Sequence, residues 1–252
     1  MSRFGRSLLR WLGWLLVAGI ALQLFFLARI ALMRWVDPQS TSFQRSEFWQ
    51  RASSPAPLAW RQTWMPYERI SDHLKRAVVA SEDDSFMVHD GVEWDAIEKA
   101  WQRNAKADEQ AERQAERAAA RPGARNPRPP KIYGGSTITQ QLAKNLLLSG
   151  ERSFLRKGQE LVLALMLEAL LSKQRILEIY LNNVEWGGGI FGAEAAARHY
   201  FKKSASDLQT LEAARLAVML PRPKYFEKLP NSAYLAGRSR VIAARMRATE
   251  LP

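Results

Sequence analysis

The chain of 252 residues contains no cysteine and three histidines. A disulfide framework and a thiolate metal site are therefore impossible, and the histidines do not fall at a zinc-site spacing. Acidic residues are missing from positions 1–36, which hold Arg3, Arg6, Arg10, Arg29 and Arg34. A second basic segment, 103–131, sets eight Lys and Arg against four acids, so these two segments carry nine of the twelve formal positive charges. The remainder is close to balanced and has no basic stripe with interleaved aromatics, which argues against nucleic-acid binding.

One long apolar run is present. Trp11 to Ala28, WLGWLLVAGIALQLFFLA, is 18 residues without a formal charge. As a helix it covers about 27 Å, close to the hydrocarbon thickness of a bilayer. Ile30 to Met33 extend it if Arg29 snorkels, and Trp11, Trp14 and Trp35 suit the interfaces. A cleaved signal peptide is the alternative, but Ala28-Arg29-Ile30-Ala31 is a poor cleavage site. The expected organisation is a cytoplasmic tail at 1–10, a retained transmembrane anchor at 11–33 and a body at 37–252. Arg3, Arg6 and Arg10 favour a cytoplasmic N-terminus, while Arg29 and Arg34 oppose it.

Residues 37–60 read as a linker or first docking segment. The body reads as mainly α, with helices over about Ser71–Ala80, Trp94–Asn104, Thr137–Leu148, Ser153–Ser172, Lys173–Asn183, Ala193–Phe201, Asp207–Leu220 and Ala233–Ala248. Residues 105–131, AKADEQAERQAERAAARPGARNPRPPK, form a flexible insertion on composition. Its first half could be a helix with i,i+4 charge pairs; its Pro-rich second half could not.

Three clusters could carry chemistry. In GGSTITQQLAKNLLL, Ser136, Gln140 and Lys144 fall at i, i+4 and i+8, with Gln141 and Asn145 one residue round. A Gly-Gly turn before Ser-Thr permits close backbone approach and leaves helix N–H groups free for an anion. Lys144 and Arg152 offer a point charge and a fork suited to phosphate oxygens, and the amides suit sugar or phosphate groups. In ASEDDSFMVHDG, Glu82, Asp83 and Asp84 are either a solvated helix end or, beside Phe86, hold one acid in a partly apolar cleft with a raised pKa. In ERSFLRKGQELVLALMLEALLSK, Arg156 and Lys157 share a helix face with Glu160, either as a surface ion-pair cluster or at the edge of the core. An acid-poor, amide- and amine-lined helix with two carboxylates elsewhere suits a phosphorylated sugar.

With these residues in view, the chain resembles the monofunctional biosynthetic peptidoglycan glycosyltransferases, the transglycosylase family shared with bifunctional penicillin-binding proteins. The resemblance is carried by ASEDDSFMVHDG, GGSTITQQLAKNL, RKGQELVLALMLE, SKQRILEIYLNNVEWGGGIFGAEAAARHYF and LEAARLAVMLPRPKYF, covering most of residues 70–226. It implies a mainly α, lysozyme-like domain behind one transmembrane helix, on the periplasmic side of a bacterial inner membrane. It implies polymerisation of lipid II into glycan strands, with Glu82 as catalytic base and Glu160 as second carboxylate. Ser136, Gln140, Gln141, Lys144, Asn145, Arg152, Arg156 and Lys157 would bind the pyrophosphate and adjoining sugar, with Asp83 as a supporting residue. A divalent cation, Mg or Mn, would accompany the pyrophosphate. Other cell-wall synthesis or division proteins are implied partners. In the fourth motif, Glu185 and Glu194 read as structural, and His89 as a hydrogen-bonding residue. A lytic enzyme and a non-catalytic scaffold are the competing readings. The insertion at 105–131 separates the first two motifs by more than the family pattern leads one to expect.

Overall fold

The computed structural model describes residues 3–53, 60–119, 135–148 and 153–252. Helix α1 (Arg3–Leu32) contains the apolar run, and its segment Leu9–Leu32, 24 residues at mean hydropathy 2.2, is long and apolar enough to cross a membrane. The last turns of α1 depart from the expectation of a simple tether. Phe26, Ile30 and Met33 are buried and belong to the core of the body. Residues 11–33 are thus apolar and exposed over most of their length and a core element at their end.

Residues 37–60 were read as a linker or first docking segment, and α2 (Ser42–Ala52) within them docks on the body, Ser42 Oγ donating to Leu146 C=O at 3.1 Å. Its start is set by a capping box: Gln44 N–H donates to Thr41 Oγ1 at 3.0 Å, and Thr41 N–H donates to Gln44 Oε1 at 2.9 Å. The T-x-x-Q spacing was readable in the sequence. After β1 (Arg61–Gln62) comes α3 (Asp72–Glu82), capped by Ser71. Then α4 (Trp94–Ala119) runs well past Asn104 and absorbs the first half of the expected insertion. The reason is local: this stretch is rich in Ala, Glu, Gln and Arg and meets no proline before Pro122. Residues 120–131, the rest of that insertion, lie outside the described residues.

The remaining elements follow the apolar periodicity and the caps. Thr137 caps α5 (Ile138–Leu147), Ser153 caps α6 (Phe154–Leu170) and Ser172 caps α7 (Lys173–Asn183). Strands β2 (Glu185–Gly187) and β3 (Ile190–Phe191) precede α8 (Ala193–Phe201). The chain continues through α9 (Thr210–Met219), α10 (Pro223–Glu227) and α11 (Ala233–Arg245). The strands form one small sheet in the order β1-β3-β2, with β1 parallel and β2 antiparallel to β3. This sheet was not expected, because two- and three-residue strands leave no alternation to detect.

The core sits where α9 packs across α3 and α11, and it continues through α5, α6 and α7. Three polar clasps hold the periphery to it. Asn182 donates to Met65 C=O at 2.9 Å and accepts from Met65 N–H at 2.8 Å. Glu194 accepts from Ala205 N–H at 2.7 Å and from Ser204 Oγ at 3.0 Å, which fits its structural reading. Arg175 donates to Met33 C=O at 2.8 Å and to Asp37 at 2.7 Å, fixing the end of α1 against α7.

Candidate active site

Glu82 is the last residue of α3 and is only partly exposed. Gln141 Nε2 on α5 donates to its Oε2 at 3.1 Å, and Gln141 Oε1 accepts from the buried Tyr180 hydroxyl at 3.0 Å. Burial raises the Glu82 pKa above the ordinary carboxylate value; the neighbouring Asp83 charge adds to this, and hydrogen bonds from Gln141 and Ser81 oppose it. The Tyr180 hydroxyl is pushed up by burial and, to a smaller degree, by Glu82 and Asp83, so it stays protonated and serves as a donor. Tyr180 lies in the core of α7. No sequence pattern marks it, since its role follows from α7 packing against α5.

Asp83 is buried and fully engaged. Ile138 N–H, at the amino end of α5, donates to its Oδ2 at 2.8 Å, and His89 Nε2 lies 2.9 Å from its Oδ1. His89 Nδ1 accepts from Gly91 N–H at 3.0 Å, so the ring proton must sit on Nε2, facing Asp83. Gly91 has φ +85, and a Cβ there would lie 2.8 Å from Glu168 Cγ. Glu168 accepts from Thr139 Oγ1 at 2.6 Å and pairs with Lys173 at 2.9 Å. Asp84, the third acid, is exposed and pairs with Arg245 at 3.0 Å. Of three adjacent acids, Glu82 meets α5 through Gln141, Asp83 holds the start of α5 and Asp84 is a surface ion pair.

Glu160 on α6 is 3% exposed and sits between two cations. Arg156 Nη1 is 2.9 Å from its Oε2, and Lys157 Nζ bonds its Oε1. Lys157 also donates to Ser136 Oγ at 3.2 Å. This is the core-edge arrangement and not a surface pair, because the carboxylate is buried while Lys157 remains exposed.

The polar line expected along the Gly-Gly segment is rearranged by where the helix begins. Thr137 is the N-cap, so Ser136 precedes the helix and does not continue its spacing. Gln140 is 0% exposed. Its Oε1 accepts from Thr137 N–H at 3.1 Å in a capping box, and its Nε2 is a buried donor without a partner among the described residues. Lys144 is exposed, and with Asn145 it follows Gln141 by three and four residues, so these share the Glu82-facing side of α5. The close approach foreseen for the glycines is to protein: a Cβ on Gly135 would lie 2.8 Å from Ala96 C=O of α4. Gly134 and Arg152 lie outside the described residues.

The two halves meet on one short segment. Residues 136–141 touch Glu82 through Gln141, Asp83 through Ile138 N–H, and the Glu160 cluster through Ser136 and Lys157. A carboxylate of raised proton affinity on one side and paired cations on the other can deprotonate a hydroxyl while steadying a developing anion. Among the described residues, no group of three His, Asp or Glu is placed to hold a metal ion. Glu160 is the one carboxylate of the cation cluster and already faces Arg156 and Lys157, so a divalent cation would have to be held by the diphosphate itself.

A glutamate of raised proton affinity, joined through one short segment to a cation cluster, suits acid–base chemistry on an anionic substrate. The transglycosylase family profile matches residues 54–114 and 117–247. The chain is 52% identical over 236 residues to the biosynthetic peptidoglycan transglycosylase of Paraburkholderia xenovorans, covering 94% of this chain and 90% of that protein. It is 50% identical over 237 residues to the protein of the same name from Bordetella pertussis, covering 94% and 91%. With that of Burkholderia thailandensis it shares 49% over 251 residues, 98% of this chain and 90% of that one. The chain belongs to the transglycosylase family and is a glycosyltransferase.

Proposed function

We propose that the chain polymerises peptidoglycan glycan strands from lipid II at the outer face of a bacterial inner membrane, to which α1 anchors it as a single pass. The observation that carries this reading is the joining of Glu82 and the Glu160 cation cluster through residues 136–141. That its relatives are biosynthetic peptidoglycan transglycosylases supports the substrate class.

In this mechanism the growing lipid-linked strand is the donor and lipid II the acceptor. The Glu82 carboxylate takes the proton of the acceptor GlcNAc 4-hydroxyl as that oxygen attacks MurNAc C1 of the donor. The C1–oxygen bond to the diphosphate breaks, the lipid diphosphate departs with the bonding pair, and the anomeric centre inverts from α to β. Arg156, Lys157 and Ser136, with Lys144 and Arg152, hold the diphosphate, and Asn145 and Gln141 contact the adjoining sugar. Glu160 positions Arg156 and Lys157; Asp83 fixes the start of α5 against Glu82. A divalent cation arriving with the diphosphate would offset charge on the leaving group.

Cleavage of finished glycan, the lytic alternative, has no use for paired cations aimed at an anionic leaving group. The test is a lipid II polymerisation assay on the wild type, Glu82→Gln and Glu160→Gln, with and without divalent metal. Glu82→Gln is expected to lose about 10²- to 10⁴-fold in rate, the usual contribution of a general base. Clearing of purified sacculi without polymer, or full activity in Glu82→Gln, overturns the proposal.

A further inference from the structure

An amide side chain has nearly the same shape whichever way it is turned, so its neighbours decide which end donates. Gln23 and Gln159 exchange bonds of 2.8 and 3.0 Å, and turning both amides over together preserves both bonds. Gln141 lacks that freedom because its two partners differ. Tyr180 Oη donates to its Oε1 at 3.0 Å, and its Nε2 donates to Glu82 Oε2 at 3.1 Å. Tyr180 is 1% exposed, and among the described residues its hydroxyl proton meets no other acceptor. Turning the Gln141 amide over would strand that proton in the core, where a donor without an acceptor is costly. It would also set Gln141 Oε1 against the Glu82 carboxylate, acceptor against acceptor.

We infer that Tyr180 is a positioning residue for the base proposed above: its hydroxyl fixes the Gln141 amide with the NH₂ turned to Glu82. The amide so held favours the ionised carboxylate, the form that can take a proton. A protonated Glu82 can donate only to a turned amide, and Tyr180 penalises that arrangement. The charged or titratable groups around Glu82 are Asp83 on its own helix with His89 beyond it, Lys144 on the facing side of α5, and Tyr180 from α7. Burial keeps the Tyr180 hydroxyl protonated at neutral and acidic pH, so it remains a donor while Glu82 changes charge.

The full chain in detergent is compared as wild type, Tyr180→Phe, Gln141→Leu, the double variant and Ile179→Val. The Glu82 carboxyl is titrated by carbon NMR, its signal identified by its loss in Glu82→Gln. The pH profile of kcat/KM on lipid II is measured alongside. Tyr180→Phe keeps the ring and should raise the Glu82 titration and the acidic limb together by about 0.5–1 pH unit, a three- to tenfold loss of ionised base below the limb. Gln141→Leu should shift both at least as far, and the double variant no further, because the hydroxyl acts through the amide. Ile179→Val loosens the same helix at a fully buried position and should lower Tm while leaving the titration in place. In nitrogen-labelled wild type, the Gln141 amide protons should follow the Glu82 titration, and amide signals blind to it overturn the inference without any variant. An unmoved titration in Tyr180→Phe, an equal shift in Ile179→Val, or additive shifts in the double variant overturn it as well. A titration that moves while the acidic limb stays put leaves Tyr180 in its role and overturns Glu82 as the base.

Discussion

Glu185 allows a prediction whose size can be worked out in advance. It opens β2, is 8% exposed, and faces Lys224 Nζ at 3.4 Å, which also pairs with Glu47 at 2.7 Å. Burial raises its pKa from 4.5 to about 7; Glu47 adds to the rise, while Lys224 and Arg51 offset part of it. Below about pH 4.5 the folded and unfolded chains both carry the proton, and this group does not penalise folding. As pH rises to 7 the unfolded chain ionises first, so the folded state loses stability, up to roughly 3 kcal/mol at about 1.36 kcal/mol per tenfold in proton affinity. Above pH 7 the loss is complete and constant. Glu185→Gln keeps the shape and cannot ionise, while Lys224 retains Glu47. Thermal unfolding in detergent can be followed by tryptophan fluorescence, with the fully buried Trp186 next door as a reporter. The variant should match the wild type near pH 4.5 and melt higher at pH 8. At roughly 2–4 °C per kcal/mol for a chain of this size, the ceiling is about 6–12 °C. A difference in Tm that stays flat from pH 4.5 to 8 refutes the reasoning.

Other outcomes concern the cleft. Gln141→Leu removes the donor that steadies the Glu82 carboxylate, so the acidic limb of kcat/KM should move to higher pH; a limb that stays or falls argues against Glu82 as the base. Asp83→Ala strands Ile138 N–H and the His89 proton, each a buried donor worth about 1–3 kcal/mol, and should lower Tm together with activity. Gly91→Ala forces a side chain into φ +85 and against Glu168, at a cost of roughly 1–3 kcal/mol visible in chemical denaturation.

The helices that were readable in the sequence are those whose apolar spacing and caps agree: α7 and α8 match residue for residue, and α5 and α6 sit inside Ser and Thr caps. Helix α2 escaped because it follows Pro38 in a polar stretch and has no strong apolar face, although its capping box was legible. Glu160 and the run Glu82, Asp83 and Asp84 stood out as acids beside apolar runs. What distinguishes Glu82 from Asp83 and Asp84 is not local, since it depends on which of the three meets α5, where Asp83 instead receives a backbone N–H. Gln140 and Gln141 are neighbours of one residue type, yet one closes a cap in the core and the other faces the cleft. Only the start of the helix, set by Thr137, decides between them.

The paired amides of Gln23 and Gln159 set how high the enzyme rides. Each satisfies the other where water is scarce, so sliding α6 along α1 by one turn, about 5.4 Å, would strand both. The cation cluster, whose Glu160 directly follows Gln159, is therefore held at one fixed height along α1.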